Sequence, residues 1–191
     1  MEKGYTEAQT FDNIDFTMTP LTRGDYDNCH FINCKLPNAD LSGLGFWNCR
    51  FTGCNLSQAK VVKTSFNEVQ FKDCKMLGLQ LGDCNPFALS FTFDNCALDY
   101  TSFYKLKLKK IVFKGCKLRN CDFSEADMSA ALFDQCDFAD AMFDGTVLEK
   151  ADFRSSYNYA FDPEKNRIRK AKFTLENIIG LLSKYDIDIQ E

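Results

Sequence analysis

The sequence is poorest in the residues that most chemistry needs. One histidine and one tryptophan occur in 191 residues, with 4 prolines and 10 glycines. A single imidazole leaves little room for histidine-based metal centres or proton relays. No phosphate loop of the G-x-x-x-x-G-K-[ST] type is present, and no nucleophile–base constellation is visible. Catalysis is therefore not expected, nor is a cofactor or a small-molecule substrate. Long apolar runs are missing too. The opening stretch MEKGYTEAQTFDNIDF lacks the apolar core of a signal peptide, and no later stretch approaches the ~20 apolar residues of a membrane span. A cytoplasmic protein without membrane or nucleic-acid partners is the expectation, built as one domain or one elongated module.

What is abundant is phenylalanine, 19 residues, and cysteine, 10 residues. Large apolar side chains recur at every fifth position through Phe11, Phe16, Leu21, Tyr26, Phe31, Leu36, Leu41, Phe46, Phe51, Leu56, Val61, Phe66, Phe71, Met76 and Leu81. The beat slips by two residues and resumes through Phe93, Leu98, Phe103, Leu108, Phe113, Leu118, Phe123, Met128, Phe133, Phe138, Phe143, Leu148 and Phe153. Neither a strand of period two nor a helix of 3.6 can bury such a stripe. The chain must turn once per quintet, so that each fifth residue returns to the same inward radius. With corners near a right angle, four quintets close a coil of ~20 residues. Residues 11 to 153 then make about seven coils, roughly 35 Å at ~4.8 Å per strand-to-strand step.

The cysteines obey the same beat. Cys29/Cys34, Cys49/Cys54 and Cys116/Cys121 are C-x4-C pairs, loose for zinc. All ten lie two residues before a beat position or its equivalent, in a slot also held by Ala39, Ala59, Ala126, Ala131, Ala141 and Ala151. The slot therefore selects for a small apolar side chain, the role free cysteine often plays. His30, between Cys29 and Phe31, reads as an outward residue.

The stretches "NADLSG", "EADMSA" and "KADFRS" show an A(D/N)Lxx consensus, and over residues 9 to 184 the chain resembles the pentapeptide repeat proteins. That resemblance implies an all-β fold, a right-handed quadrilateral β-helix. "SFNEVQFKDCKMLGL", "TSFYKLKL" and "NRIRKAKFTLENIIGLLSKYDIDI" look like the DNA-gyrase-binding branch, the Qnr-like quinolone-resistance and albicidin-resistance proteins. It implies a DNA-mimicking partner of gyrase, with a homodimer joined at the C-terminus. The alternative is an interaction scaffold for an unrelated protein.

Three irregular places carry the remaining expectations. A repeat domain over 1 to 173 gives way at Thr174 to a short capping helix over 175 to 184, with Leu175, Ile178, Ile179 and Leu182 on one stripe and Leu181 adding apolar surface. These five are the candidate dimer contacts, and Asp186 to Ile189 alternate like a last strand. The slip at 82 to 92 must bulge, presenting Asp83, Asn85, Pro86 and Phe87 to a partner. Trp47, Tyr100 and Tyr104 fall on outward slots as weaker anchors. Charge is also segregated: residues 105 to 119 hold seven bases (Lys105, Lys107, Lys109, Lys110, Lys114, Lys117, Arg119) and no acid. Residues 120 to 149 hold eight acids (Asp122, Glu125, Asp127, Asp134, Asp137, Asp140, Asp144, Glu149) and no base. Net charge of −4 is too small for uniform DNA mimicry, against ~20 charges on ~35 Å of duplex, so the acidic belt is the candidate imitation. The plain alternative is a solvated surface that keeps the rod soluble.

Overall fold

The computed structural model describes residues 4–87 and 89–188. Its chain turns because one residue of almost every quintet sits in the left-handed region. Two places after each inward beat residue stand Asn13, Asn28, Asn33, Asn38, Asn48, Asn95 and Asn120, with φ between 50° and 56°. Glycine holds the same slot at Gly43, Gly53, Gly78, Gly115 and Gly145, with φ between 60° and 71°. Asparagine and glycine tolerate this conformation best. The turned residue's N–H then donates to the next coil, as Asn33 does to Thr52 O at 2.8 Å and Gly53 to Lys72 O at 2.9 Å.

Repetition of this corner gives a right-handed, four-sided parallel β-helix. Along the first side the outward, strand-centred residues stack as Thr10, His30, Arg50, Gln70, Thr92 and then Val112, Leu132, Asp152 and Lys172. The second side stacks Asp15, Lys35, Asn55, Lys75, Ala97, Lys117, Asp137 and Tyr157. The third carries Asp40 and Lys60, then Gln80, Ser102, Asp122 and Met142. The fourth carries Asp25, Gly45 and Ser65, then Lys107, Asp127, Val147 and Arg167. Every pairing is parallel and joins a residue to its counterpart one full coil on, as Lys35 to Asn55. The step lengthens only across the slip, where Lys75 pairs with Ala97.

Inside, the beat residues make columns. Phe11, Phe31, Phe51, Phe71, Phe93, Phe113, Phe133, Phe153 and Phe173 follow one another with ring centroids 4.4 to 5.5 Å apart. Neighbouring columns meet edge-on, as Phe31 and Phe46 do at 5.9 Å and 76°. Both arrangements suit the aromatic quadrupole. Seven coil steps separate Phe11 from Phe153, as the periodicity requires, and the beat residues are buried except Phe11 and Leu21 near the N-terminal end, which are partly buried. The interior is filled, so function belongs to the outside.

The small slot is more specific than "small and apolar". All ten cysteines are free and buried. Most donate their S–H to the carbonyl one coil back, as Cys121 does to Leu98 O at 3.1 Å and Cys54 to Phe31 O at 3.3 Å. Thr64, Thr101, Thr146 and Ser156 occupy equivalent slots and give the same bond with hydroxyls, at 2.8, 2.8, 2.9 and 2.8 Å. The slot thus takes a compact side chain that can also supply a hydrogen.

The C-terminus departs from expectation. The helix over 175 to 184 is realised as two 3-10 turns, Ile178–Leu181 and Ser183–Tyr185, anchored by Ile178 N–H on Thr174 O at 3.1 Å. Gly180 packs so closely that a Cβ there would collide with the Tyr159 carbonyl, and glycine also weakens a helix. The tighter winding drives Leu181 into the core, 5% exposed, so it cannot be a dimer contact. Leu182 is partly buried, and Leu175, Ile178 and Ile179 face outward. Residues 186 to 188 form no strand, and Ile189 lies outside the described residues.

Two substitutions test this packing. Phe123→Ala, at a fully buried stack position, should cost about 3–5 kcal/mol. Tyr159 buries its hydroxyl without a hydrogen-bond partner, so Tyr159→Phe should raise stability by about 1 kcal/mol, read from chemical denaturation midpoints.

Candidate functional site

Stacking of successive coils lays the basic run of the sequence directly over the acidic run. Lys105 reaches Glu125 at 3.4 Å, Lys109 reaches Asp127 at 3.4 Å, and Arg119 reaches Asp137 at 2.6 Å. Glu149 is paired with Arg167 from the following coil at 2.7 Å. Asp134 lies on the corner between the first and second sides, accepting from Ser155 Oγ at 2.9 Å. The eight acids are therefore not one belt. Four are neutralised, and Asp137 is buried, 2% exposed, where it also accepts from Asn158 at 2.8 Å. Burial works against ionisation of Asp137, but Asn158, Arg119 and the Ala139 N–H outweigh it and hold the carboxyl below its usual range.

Three acids of the belt remain together. Asp122 is strand-centred on the third side, and Asp140 and Asp144 stand at the corners flanking that side one coil on. Asp99, which lies outside the acidic run of the sequence, joins them from the coil before, on the same corner as Asp140. None of the four has an ion-pair partner among the described residues. The signal that could have found Asp99 is the column it shares with Arg119 and Ala139, which becomes visible only once the coil length is applied.

Apolar groups interrupt this acidic side. Tyr100 is 64% exposed and Met142 54%, and Tyr104 donates its hydroxyl to Glu125 at 2.9 Å. Trp47 lies on the other half of the rod, partly buried on the corner after the fourth side. Towards the C-terminal end the acidic side runs into an open groove of about 750 Å³, lined by Asp140, Glu176, Asn177 and Ile179 among others. Beyond it Leu175, Ile178, Ile179, Tyr185 and Ile187 form an exposed apolar end.

The bulge sits on the fourth side, distant in the chain from this end. Asn85 ties it down, donating from its backbone to Thr64 O at 2.9 Å and from its side chain to Ser65 Oγ at 3.0 Å. Asp83 closes a 3-10 turn, Leu81–Asp83, and Phe87 projects after Pro86, 97% exposed. Phe91 goes inward in compensation, 5% exposed. Among the described residues no three His, Cys, Asp or Glu side chains converge as a metal centre, and no helix is long and apolar enough to cross a membrane.

The family description "Pentapeptide repeat region" matches residues 24–92 and 89–158. Among curated proteins the sequence finds no match. Two trypsin-treated variants of QnrB1, described as a plasmid-mediated fluoroquinolone resistance protein, share the fold. One is 19% identical with a TM-score of 0.71, covering 98% of this chain and 92% of its own. The other is 18% identical with a TM-score of 0.62, covering 98% and 100%. At that identity the likeness is one of fold.

Acid should loosen the rod in a defined window. Arg154 holds Asp152 down to about 2, and Ser42, helped by Arg23, does the same for Asp40. Both lie below their unfolded value of ~3.9, so their stabilisation is complete above about pH 4 and lost as pH falls towards about 2. Thermal midpoints should drop across that interval, and Asp152→Asn should flatten the drop.

Proposed function

This chain belongs to the pentapeptide repeat family, and from that premise we propose that it is a non-catalytic, DNA-imitating dimer that binds DNA gyrase and modulates or protects it. The carrying observation is the acidic third side. Asp99, Asp122, Asp140 and Asp144 place four unpaired carboxylates within two coil steps, ~10 Å of axis. Duplex DNA carries ~6 charges over that length on both strands, of which one approaching surface meets about half. The local density therefore suits a DNA-binding surface, although net charge over the whole rod does not. Ion pairs elsewhere sharpen the contrast, because they silence the other acids. Gyrase is favoured over another DNA-binding partner by the sequence stretches noted above and by the fold shared with QnrB1.

Dimerisation follows from the apolar end. Leu175, Ile178 and Ile179 leave apolar area in water that a second copy would remove, with the two acidic sides brought towards the middle of a rod of ~70–80 Å. Cytoplasmic residence fits this reading, since ten reduced thiols need a reducing compartment. The second reading, a scaffold for an unrelated protein, is favoured by Phe87, an aromatic anchor on a rigid frame that has no need of DNA-like charge.

In a supercoiling assay with purified gyrase, with and without quinolone or albicidin, the protein should alter activity at micromolar concentration; no effect supports the scaffold. Replacing Asp99, Asp122, Asp140 and Asp144 together with Asn should weaken gyrase binding by about tenfold or more, and raised salt should weaken the parent's binding similarly. Ile179→Asp should yield monomers in light scattering with an unchanged melting midpoint.

A further inference from the structure

We propose that Cys74 and Cys96 form a two-coordinate site for a soft monovalent metal ion of the Cu(I) or Ag(I) class, entered through a notch in the second side. Cys34, Cys54, Cys74, Cys96, Cys116 and Cys136 succeed one another down this side, one per coil. Their thiols are arranged alike. Cys74 Sγ lies 3.4 Å from Phe51 O and 3.2 Å from Lys72 O, and Cys96 Sγ lies 3.4 Å from both Phe71 O and Asp94 O. Because each sulfur addresses the same two carbonyls of its own coil and the one before, successive sulfurs repeat at the coil rise, ~4.8 Å. Two collinear thiolate–metal bonds of roughly 2.3 Å, the zinc–thiolate length, span about 4.6 Å. The backbone spacing therefore presets the separation that a linear S–metal–S unit requires.

The ligand count selects the ion. Absence of a third convergent ligand among the described residues disfavours tetrahedral zinc, whereas soft d10 monovalent ions accept two thiolates in line. One pair in the column is accessible. A cavity of about 270 Å³ is lined by Cys74 and Cys96 together with Lys75, Asn95, Ala97 and Lys117. Longer side chains cover the column at Lys75 and Lys117, but between them stands Ala97, with only a methyl group. Charge also fits. A monovalent ion held by two thiolates carries one negative charge, and Lys75 and Lys117, both exposed and without ion-pair partners among the described residues, flank the opening. Binding breaks two S–H bonds, forms two S–metal bonds and releases two protons to solvent, with no change of oxidation state.

The test is an anaerobic titration of the full chain with Ag(I) and, separately, Cu(I). Thiolate-to-metal absorption and proton release are followed, and the folded state is checked by circular dichroism. Two protons should leave per ion, with the ion retained against free thiol by the folded protein. Cys74→Ala and Cys96→Ala should each abolish that retention while the rod still melts cooperatively, because alanine holds the same slot in other coils. Cys34→Ala should leave it intact, and Ala97→Leu should slow uptake without changing capacity. Equal retention by the Cys74→Ala/Cys96→Ala variant, or uptake only with loss of structure, would overturn the assignment.

Discussion

Backbone hydrogen bonds between successive coils, such as Lys60 N–H to Ala39 O at 2.8 Å, set a rise of ~4.8 Å to which every other part of the rod is fitted. Phenylalanine rings stack at centroid separations of 4.4 to 5.5 Å because that rise lies within the comfortable range for offset aromatic pairs. The thiols and hydroxyls of the small slot each reach a carbonyl one coil back because the distance is the same at every level. Left-handed corner residues such as Lys105, Lys110 and Glu125 carry local strain, and the hydrogen bonds above and below hold them there.

The same rise turns a linear charge pattern into a different surface. Bases at 105 to 119 and acids at 120 to 149 are separate in the chain, yet become vertical neighbours after one coil. Lys105, Lys109 and Arg119 each find a carboxylate on the next coil. Exposed pairs of this kind contribute little to stability. Their effect is to remove charge from the second and fourth sides and leave it on the third. The unpaired acids thereby acquire a direction, which their number alone could not give them.

Much of the frame was legible because it depends on periodicity. The beat from Phe11 to Phe153, the inward cysteines and the bulge between Leu81 and Phe93 follow from counting. What counting could not supply was the consequence of folding the count into coils: Asp99 joins Asp122 and Asp140, while Asp137 is buried beneath Arg119. The C-terminal turns were misread for another reason. An apolar pattern at i, i+3, i+4 and i+7 fits an α-helix, but the close approach of Gly180 to Tyr159 favours 3-10 winding and exchanges Leu181 for Leu182 in the core. Local pattern yields there to a tertiary contact that no neighbour in sequence announces.

Since the backbone of each coil bonds only to the coil before and the coil after, a single coil is a removable unit. Gain or loss of one such segment by duplication or deletion leaves every corner and every column in phase. It moves the acidic third side relative to the apolar end by a single increment and rotates nothing. Ancestral changes of length could thus have adjusted the molecule like a ruler with discrete divisions, matching its reach to a partner without redesigning a core.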